Sequence, residues 1–590
     1  MKQWKIKQSD VASIDELSAK TGYSKIVTSI FLQKGLSTPN LIEKFVHPQI
    51  ADLHNPFLFA DMEKAVKRIR RAIENKEKIL IYGDRDVDGI TSTNIAYLYL
   101  KELSADVLWY IPSDEGYGLH NELIEKYKKE GVGLIITVDC GITAVEEVNL
   151  ANSLGIDVII TDHHEPLAEL PKAVAIIDPK CPSEKYPFRE LAGCGVAFKL
   201  FQAVAFSYSD YYGKDTVIFD IKTTEQRKFI EEYLYLVALG TVADIVPLIS
   251  ENRILVKHGV PLFYSSKKPG IRAMIDNLQI EKKSFTTKKV SWSIVPLLNS
   301  AGRYGKAALS AELLVTDDKN RADELLEEIL AINGERKNLQ KINIKRFIDE
   351  TVKQNDIEND KIFITVVSHL KHGVTGIAAN QIIREFGKPV ILLILEGEEA
   401  MGSARSISGF DIVSAIEKCK DIVVKYGGHK AAAGLTIDRK NLEEFIKRIK
   451  FVANSLITDE MLEPYLSIDT AIFVSDISVN LINELDVFEP CGSGNECPIF
   501  VVNEAVLSDF SSVGIDGAHL RVRFKNDQVG SPQVNKMGVG GIGWQLGRRA
   551  ADFKKGQKVD VAFHLEINVW QSRESAQVMI LDIKPSDNIL

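Results

Sequence analysis

Four short segments carry the side chains with the most chemical reach. They are Asp84-Arg85-Asp86-Val87-Asp88-Gly89, Val138-Asp139-Cys140-Gly141, Asp162-His163-His164 and Ala243-Asp244. Three of them close apolar, β-branched runs, namely Ile79-Leu80-Ile81-Tyr82, Leu134-Ile135-Ile136-Thr137-Val138 and Val158-Ile159-Ile160-Thr161, which read as strands. In an open parallel sheet the ligand crevice lies at the carboxyl ends of the strands, so these acids are expected to converge there. Like charges about 4 Å apart repel by roughly 4 kcal/mol per pair at an effective dielectric near 20. Such a cluster is tolerable only around cations, and the pattern points to a metal-dependent enzyme.

The residue types narrow the chemistry. Asp86 and Asp88 stand two apart before Gly89, on a turn expected to lead into a helix near Thr91. Asp139 is placed to bridge two ions, His163 offers a nitrogen ligand and Asp244 a further oxygen. Oxygen-rich coordination with one imidazole suits Mn²⁺ or Mg²⁺ better than Zn²⁺, and a pair of such ions favours in-line displacement at phosphorus. His164 is expected to project away from His163, toward the transferring phosphoryl group, as a hydrogen-bond donor or proton source. Taken singly, a DxD before a helix is often an N-cap device, and a His-His pair is more often structural. The joint occurrence of four such segments favours the metal site.

The elements that must position these residues follow from the bulk pattern. At 590 residues the chain is too long for one core and should divide into several domains. A 45% hydrophobic share with 26% charged residues describes a globular protein rather than a disordered one. No apolar run reaches the length of a bilayer, and the start Met1-Lys2-Gln3-Trp4-Lys5 lacks a secretory stretch, so a cytoplasmic protein without a membrane partner is expected. The six cysteines lack a CxxC pair and read as reduced, mostly buried thiols; a zinc site built on Cys491 and Cys497 would need two further ligands. The formal charge of −9 argues mildly against nucleic-acid binding, but the clustered acids inflate that count, and local patches matter more.

Along the chain, residues 1–50 read as a cap of short helices. From 51 to 320, strand-like and helix-like runs alternate as in a parallel α/β sheet, with Thr91–Leu103 and Leu123–Glu130 helical, Val107–Ile111 extended, and a helix over Tyr233–Val242 delivering Asp244. A polar helix over 321–357 links this lobe to a second α/β unit at 358–456, with strands at Ile362–Val367 and Val390–Leu395 around a helix at Gly376–Glu385. Lys337, Lys341 and Lys345 lie four apart on the linking helix; most such stripes are simply solvated. Residues 457–590 read as a β-barrel of short strands, among them Leu520–Phe524 and Val559–Phe563. Phe488, Phe500, Phe524 and Trp544 are candidate stacking faces there, with barrel core as the alternative. Arg521, Arg523, Arg548 and Arg549 are candidates to track phosphates.

These residues resemble a known family. Asp86-x-Asp88-Gly89, Val138-Asp139-Cys140-Gly141, Asp162-His163-His164 and Gly240-Thr241-Val242-Ala243-Asp244 look like the motifs of the DHH phosphoesterases. Gly116-Tyr117-Gly118, Ala192-Gly193-Cys194-Gly195, Asn299-Ser300-Ala301-Gly302-Arg303, His372-Gly373-Val374-x-Gly376, Gly402-Ser403-Ala404-Arg405, Gly427-Gly428-His429 and Glu489-Pro490-x-Gly492-x-Gly494-Asn495 narrow it to the RecJ-type single-strand-specific DNA exonucleases. The resemblance implies an α/β fold: a parallel-sheet DHH domain joined by a long helix to a smaller α/β DHHA1 domain, plus a C-terminal OB-type barrel. It implies release of 5′-mononucleotides from single-stranded DNA, 5′ to 3′, in DNA repair and recombination, with two Mn²⁺ or Mg²⁺ ions. It implies Asp88, Asp139, His163 and Asp244 on one ion, and Asp86 and Asp139 with Asp84 on the other. His164 would act on the scissile phosphate. Arg303, His372, Gly373, Ser403, Arg405, Gly427, Gly428 and His429 would grip the substrate. A single-strand-binding protein and a helicase are candidate partners.

The family usually places an aromatic and an alanine where this chain has Arg85 and Val87. It also carries an arginine for the 5′-phosphate where this chain reads Ile111-Pro112-Ser113-Asp114-Glu115-Gly116, so a preference for phosphorylated ends is not implied. The alternatives are a DHH-type phosphodiesterase of short oligonucleotides or cyclic dinucleotides, and a catalytically inactive DNA-binding scaffold.

Overall fold

The computed structural model describes residues 3–113, 115–116, 118–212, 220–282, 285–368, 375–463, 465–525, 538–570 and 573–586. The chain forms two compact units, one comprising residues 9–333 with 472–590 and the other 1–8 with 334–471.

The larger unit is built on a parallel sheet of five strands. Their spatial order is Val107–Tyr110, Lys78–Tyr82, Val132–Val138, Asp157–Thr161 and Ala175–Ile177. Tyr82 pairs with Thr137, Val138 with Thr161, and Thr161 with Ile177, so the strands end almost level and the acids after them emerge along one edge. Both faces are covered, which is why the strands read as continuous apolar runs rather than alternating ones. Ile79 and Ile81 join the core with the helices Val87–Glu102, Gly193–Phe206 and Thr224–Ala243. Leu80 and Tyr82 pack on the other face against Ile124, Tyr127 and Val148. Each such buried side chain stabilises the fold by about 1.5–3 kcal/mol relative to exposure.

The helix after the first acidic segment begins at Val87 rather than near Thr91. Asp86 takes an extended conformation as its N-cap and accepts the Gly89 N–H at 3.0 Å, so the N-cap reading of this DxD holds together with any metal role.

The same unit holds the helices Val11–Thr21, Lys25–Gln33 and Pro39–Val46, whose apolar faces share one core with the C-terminal barrel. Five strands close that barrel in the order Phe500–Val513, His519–Lys525, Val539–Gly543, Arg573–Pro585 and Lys558–Trp570, the last pairing back onto the first. Three of them are long instead of short.

In the smaller unit a five-stranded sheet runs Lys425–His429, Ala432–Asp438, Glu399–Arg405, Val390–Glu396 and Phe363–Ser368, with only the last pair parallel. Gln3–Ile6 is a strand pairing in parallel with Tyr465–Ile468, where the sequence suggested only helices. One helix, Lys319–Gln354, crosses the boundary between the units. Among the described residues no helix is long and apolar enough to cross a membrane.

Candidate active site

The strand ends deliver the acids as a cluster. Ligand atoms of Asp84, Asp86 and Asp139 lie within 4.8 Å of one another, as do those of Asp88, His163 and Asp244, and those of Asp139, His163 and His164. Asp139 Oδ1 is 3.1 Å from His163 Nε2, Asp88 Oδ2 is 3.9 Å from the same nitrogen, and Asp244 Oδ2 is 3.6 Å from Nδ1. Asp139 therefore belongs both to the carboxylate group of the first segment and to the imidazole group. It sits in the left-handed region at φ 61°, a conformation that Asp tolerates better than most residues and that aims its carboxylate into the crevice.

The electrostatics describe a pocket short of positive charge. Burial first, then Asp88, Asp86 and Asp244, push the Asp139 carboxyl well above its ordinary range. Burial, then Asp88 and Asp86, raise Asp244 to about 8, and Asp84, Asp86 and Asp88 are also raised. Asp86, although open at the crevice mouth, is raised by the surrounding chain and then by Asp84. Burial lowers His163 to about 4, leaving its imidazole neutral, the form that ligates metals. Asp84 Oδ1 and His163 Nδ1 are buried without a hydrogen bond. Bare oxygens and a neutral imidazole converging on one space fit divalent cations.

The supporting contacts are equally specific. Gly193 N and Cys194 N, opening the helix Gly193–Phe206, donate to the two Asp88 oxygens at 2.7 and 2.9 Å. A Cβ at Gly193 would stand 2.4 Å from Asp139 Oδ1, and one at Gly240 would stand 2.3 Å from Thr91 Oγ1 and 2.9 Å from Asp88 Oδ1, so only glycine admits the carboxylates at both places. Asn299 Oδ1 accepts the Val87 N–H at 2.9 Å, tying the Asn299–Arg303 segment to the first acidic loop. Arg303 follows the helix Val295–Gly302 and is close enough to Arg85 and Asp86 to feel both charges.

Asp162, given no role of its own from sequence, organises the histidines. Its Oδ1 accepts the His163 and His164 amides at 2.7 and 3.2 Å and contacts His164 Nδ1 at 2.7 Å, while Oδ2 accepts the Ile142 N–H at 2.9 Å. Burial works against charge on either member, but this bond outweighs it, lowering Asp162 and raising His164 to about 9. The two histidine rings stay 4.5 Å apart instead of diverging, the His164 ring bonded to Asp162 and the His163 ring facing Asp139, Asp88 and Asp244; His164 is the more exposed. Asp178, also missed, follows the strand Ala175–Ile177, and burial pushes it up to about 7.

In the smaller unit, register aligns the other candidates. Gly427, Gly434 and Ser403 form one row across three strands, and His429, Ala432 and Arg405 form the next row on the same face. Ser403 Oγ lies 2.9 Å from Thr375 Oγ1, and a Cβ on Gly376 would stand 2.7 Å from the Arg405 guanidinium. A cavity of about 520 Å³ opens beside Thr375, Ser403, Lys425, Gly427 and Gly434. Gly428 pairs with Ala433 in the same ladder. His372 and Gly373, with Asp114 and Tyr117 of the earlier motifs, lie outside the described residues. Lys337, Lys341 and Lys345 are exposed beside Ile344 and Ile348.

The barrel corrects part of the stacking expectation. Phe488, Phe500 and Phe524 are core residues, and only Trp544 of the four is exposed, at 58%, with its ring 4.6 Å from that of His519. Arg521 and Arg523 point outward along His519–Lys525. Arg549 is committed to Asp552 at 2.6 Å and to the Ile583 carbonyl at 2.8 Å.

Comparison with known proteins agrees with this architecture. The model of the DHH family N-terminal domain matches residues 78–241, that of the DHHA1 domain 359–455 and that of the RecJ OB domain 468–582. Fold and site thus define a DHH-type protein with its associated domain and an oligonucleotide-binding-type barrel. The chain is 34% identical to the single-stranded-DNA-specific exonuclease RecJ of Bacillus subtilis (strain 168), over 99% of this chain and 71% of the relative. It is 31% identical to that of Salmonella typhimurium, over 89% of this chain and 90% of the relative. The crystal structure of RecJ in complex with Mn²⁺ from Thermus thermophilus superposes with a TM-score of 0.80 at 25% identity, covering 99% of this chain and 80% of that one. The chain belongs to the RecJ family.

Proposed function

We propose that this chain is a two-metal-dependent exonuclease that degrades single-stranded DNA, 5′ to 3′, to 5′-mononucleotides in DNA repair and recombination. The observation that carries the reading is the double membership of Asp139, whose carboxylate joins the Asp84–Asp86 group to the Asp88–His163–Asp244 group. Relatives named as single-stranded-DNA-specific exonucleases, and a related structure holding Mn²⁺, support it.

In this reading Asp88, Asp139, His163 and Asp244 hold one Mn²⁺ or Mg²⁺ ion, and Asp86 and Asp139 with Asp84 hold the other. Bound there, the ions supply an activated water and neutralise charge at phosphorus. The chain supplies position and protons. Asp162 keeps His164 charged near neutral pH, so that it presents a donor to a phosphate oxygen. Arg303, His372, Gly373, Ser403, Arg405, Gly427, Gly428 and His429 are the proposed substrate contacts. The functional division is an N-terminal cap to residue 50, a catalytic domain to 320, a linking helix to 357, a DHHA1 domain to 456 and a binding barrel beyond. Single-strand-binding protein and a helicase are proposed partners, and the cytoplasm the compartment.

The test compares 5′-phosphorylated, 5′-hydroxyl and 3′-blocked single strands with Mn²⁺. Mononucleotides released from the 5′ end, with the 3′ block indifferent, are expected. Digestion stopped by the 3′ block would contradict the reading.

A further inference from the structure

The segment from Glu489 to Cys497 gathers a second set of ligand atoms, sharing no residue with the catalytic crevice. The Glu489 carboxylate and the Cys491 and Cys497 thiols lie within 4.8 Å of one another and are partly exposed. Sequence spacing offered only the two thiols; the turn of the loop adds the carboxylate. Cys140, Cys181, Cys194 and Cys419, by contrast, are buried.

The loop is held in place before any ligand arrives. The buried Arg253 guanidinium donates to the carbonyls of Val487, Phe488, Glu489 and Pro490 at 3.0–3.4 Å and to that of Phe45 at 2.9 Å. Asn495 Nδ2 donates to the Phe488 and Pro490 carbonyls, each at 2.8 Å. Thr287 Oγ1 donates to the Cys491 carbonyl at 2.7 Å, and the Leu248 N–H to the Ser493 carbonyl at 2.7 Å. Gly492 and Asn495 exchange two backbone hydrogen bonds at 3.0 and 3.1 Å. Finally, the Cys491 N–H donates to Glu489 Oε2 at 2.9 Å, which fixes the carboxylate beside the sulfur.

A tetrahedral ion with metal–sulfur distances of about 2.3 Å and metal–oxygen distances of about 2.0 Å sets its donors roughly 3.3–3.8 Å apart. The three atoms, all within 4.8 Å of one another, already stand near that spacing. Two sulfurs select a soft or borderline cation over Mg²⁺ or Mn²⁺. We propose that Glu489, Cys491 and Cys497 form a site for a thiophilic divalent cation of the zinc class, with water in the fourth position. An ion there closes on itself the loop entering the barrel, whose carbonyls Arg253 and Thr287 already hold.

The experiment uses the reduced, metal-free full-length chain with cobalt(II) as the probe. A thiolate-to-cobalt charge-transfer band, displaced by zinc, is expected in the wild type. It is lost in Cys491→Ser and in Cys497→Ser, and retained in Asp139→Ala, where only the crevice is altered. Zinc at ten times its dissociation constant should slow alkylation of Cys491 and Cys497 about tenfold. The wild-type spectrum and alkylation rates do not depend on how the variants fold. A wild type without the band, a band that persists in both serine variants, or alkylation indifferent to zinc would overturn the proposal.

Discussion

The catalytic crevice and the C-terminal barrel fill their buried positions in opposite ways. Along His519–Lys525 the barrel alternates strictly, Leu520, Val522 and Phe524 inward and Arg521 and Arg523 outward, so every buried group there is apolar. The crevice buries Asp88, Asp139, Asp162 and His163 at 5% exposure or less, at a desolvation cost of several kcal/mol per ion, and holds Asp139 in a left-handed backbone conformation. Only part of that cost is recovered inside the protein, through the Gly193 and Cys194 amides on Asp88 and through the Asp162–His164 pair. The contrast teaches that one region is built for its own stability, whereas the other is completed by ligand.

Mutations on the two sides should therefore separate stability from activity. The largest effect expected is on the barrel side: Phe524→Ala should lower unfolding free energy by about 3–5 kcal/mol, read by denaturant melts. Asp139→Ala should do the reverse, lowering nuclease turnover by more than about a hundredfold, beyond the usual loss from an outer contact. Its metal-free melting temperature should change little, because the loss of a repelled carboxylate offsets the strain of alanine in the left-handed region. A large destabilisation by Asp139→Ala would break the comparison. Asp162→Asn keeps the shape but weakens the hold on His164, and should cost about 10–100-fold in turnover without a change in fold by circular dichroism. The smallest effect sharpens the barrel side: Trp544→Ala, outside the core, should weaken single-strand binding by about 1–3 kcal/mol and leave the melting temperature in place.

The strand-end acids were legible because a sheet covered on both faces writes its strands as unbroken apolar runs, and the residue after each run inherits the crevice. Asp178 obeys the same rule after Val174-Ala175-Ile176-Ile177, but so short a run carries little signal. The burial of Phe524 was also available, since period-two alternation puts it on the face of Leu520 and Val522. Other features had no letter to read. The groups holding Asp88 are backbone N–H donors, identical in every non-proline residue. The strand Gln3–Ile6 is defined by a partner at Tyr465–Ile468, far away in the chain. The place of Glu489 beside Cys491 and Cys497 comes from a turn geometry that composition does not encode. The onset of the first crevice helix at Val87 depends on Asp86 capping it, a choice between turn and cap that the DxD pattern leaves open.

The most direct test of the shared carboxylate is a Mn²⁺ titration of the metal-free chain followed by electron paramagnetic resonance. Two ions per chain with an exchange-coupled spectrum, and loss of that coupling in Asp139→Asn, is the result predicted. A single ion, two uncoupled ions, or coupling that survives Asp139→Asn would contradict it.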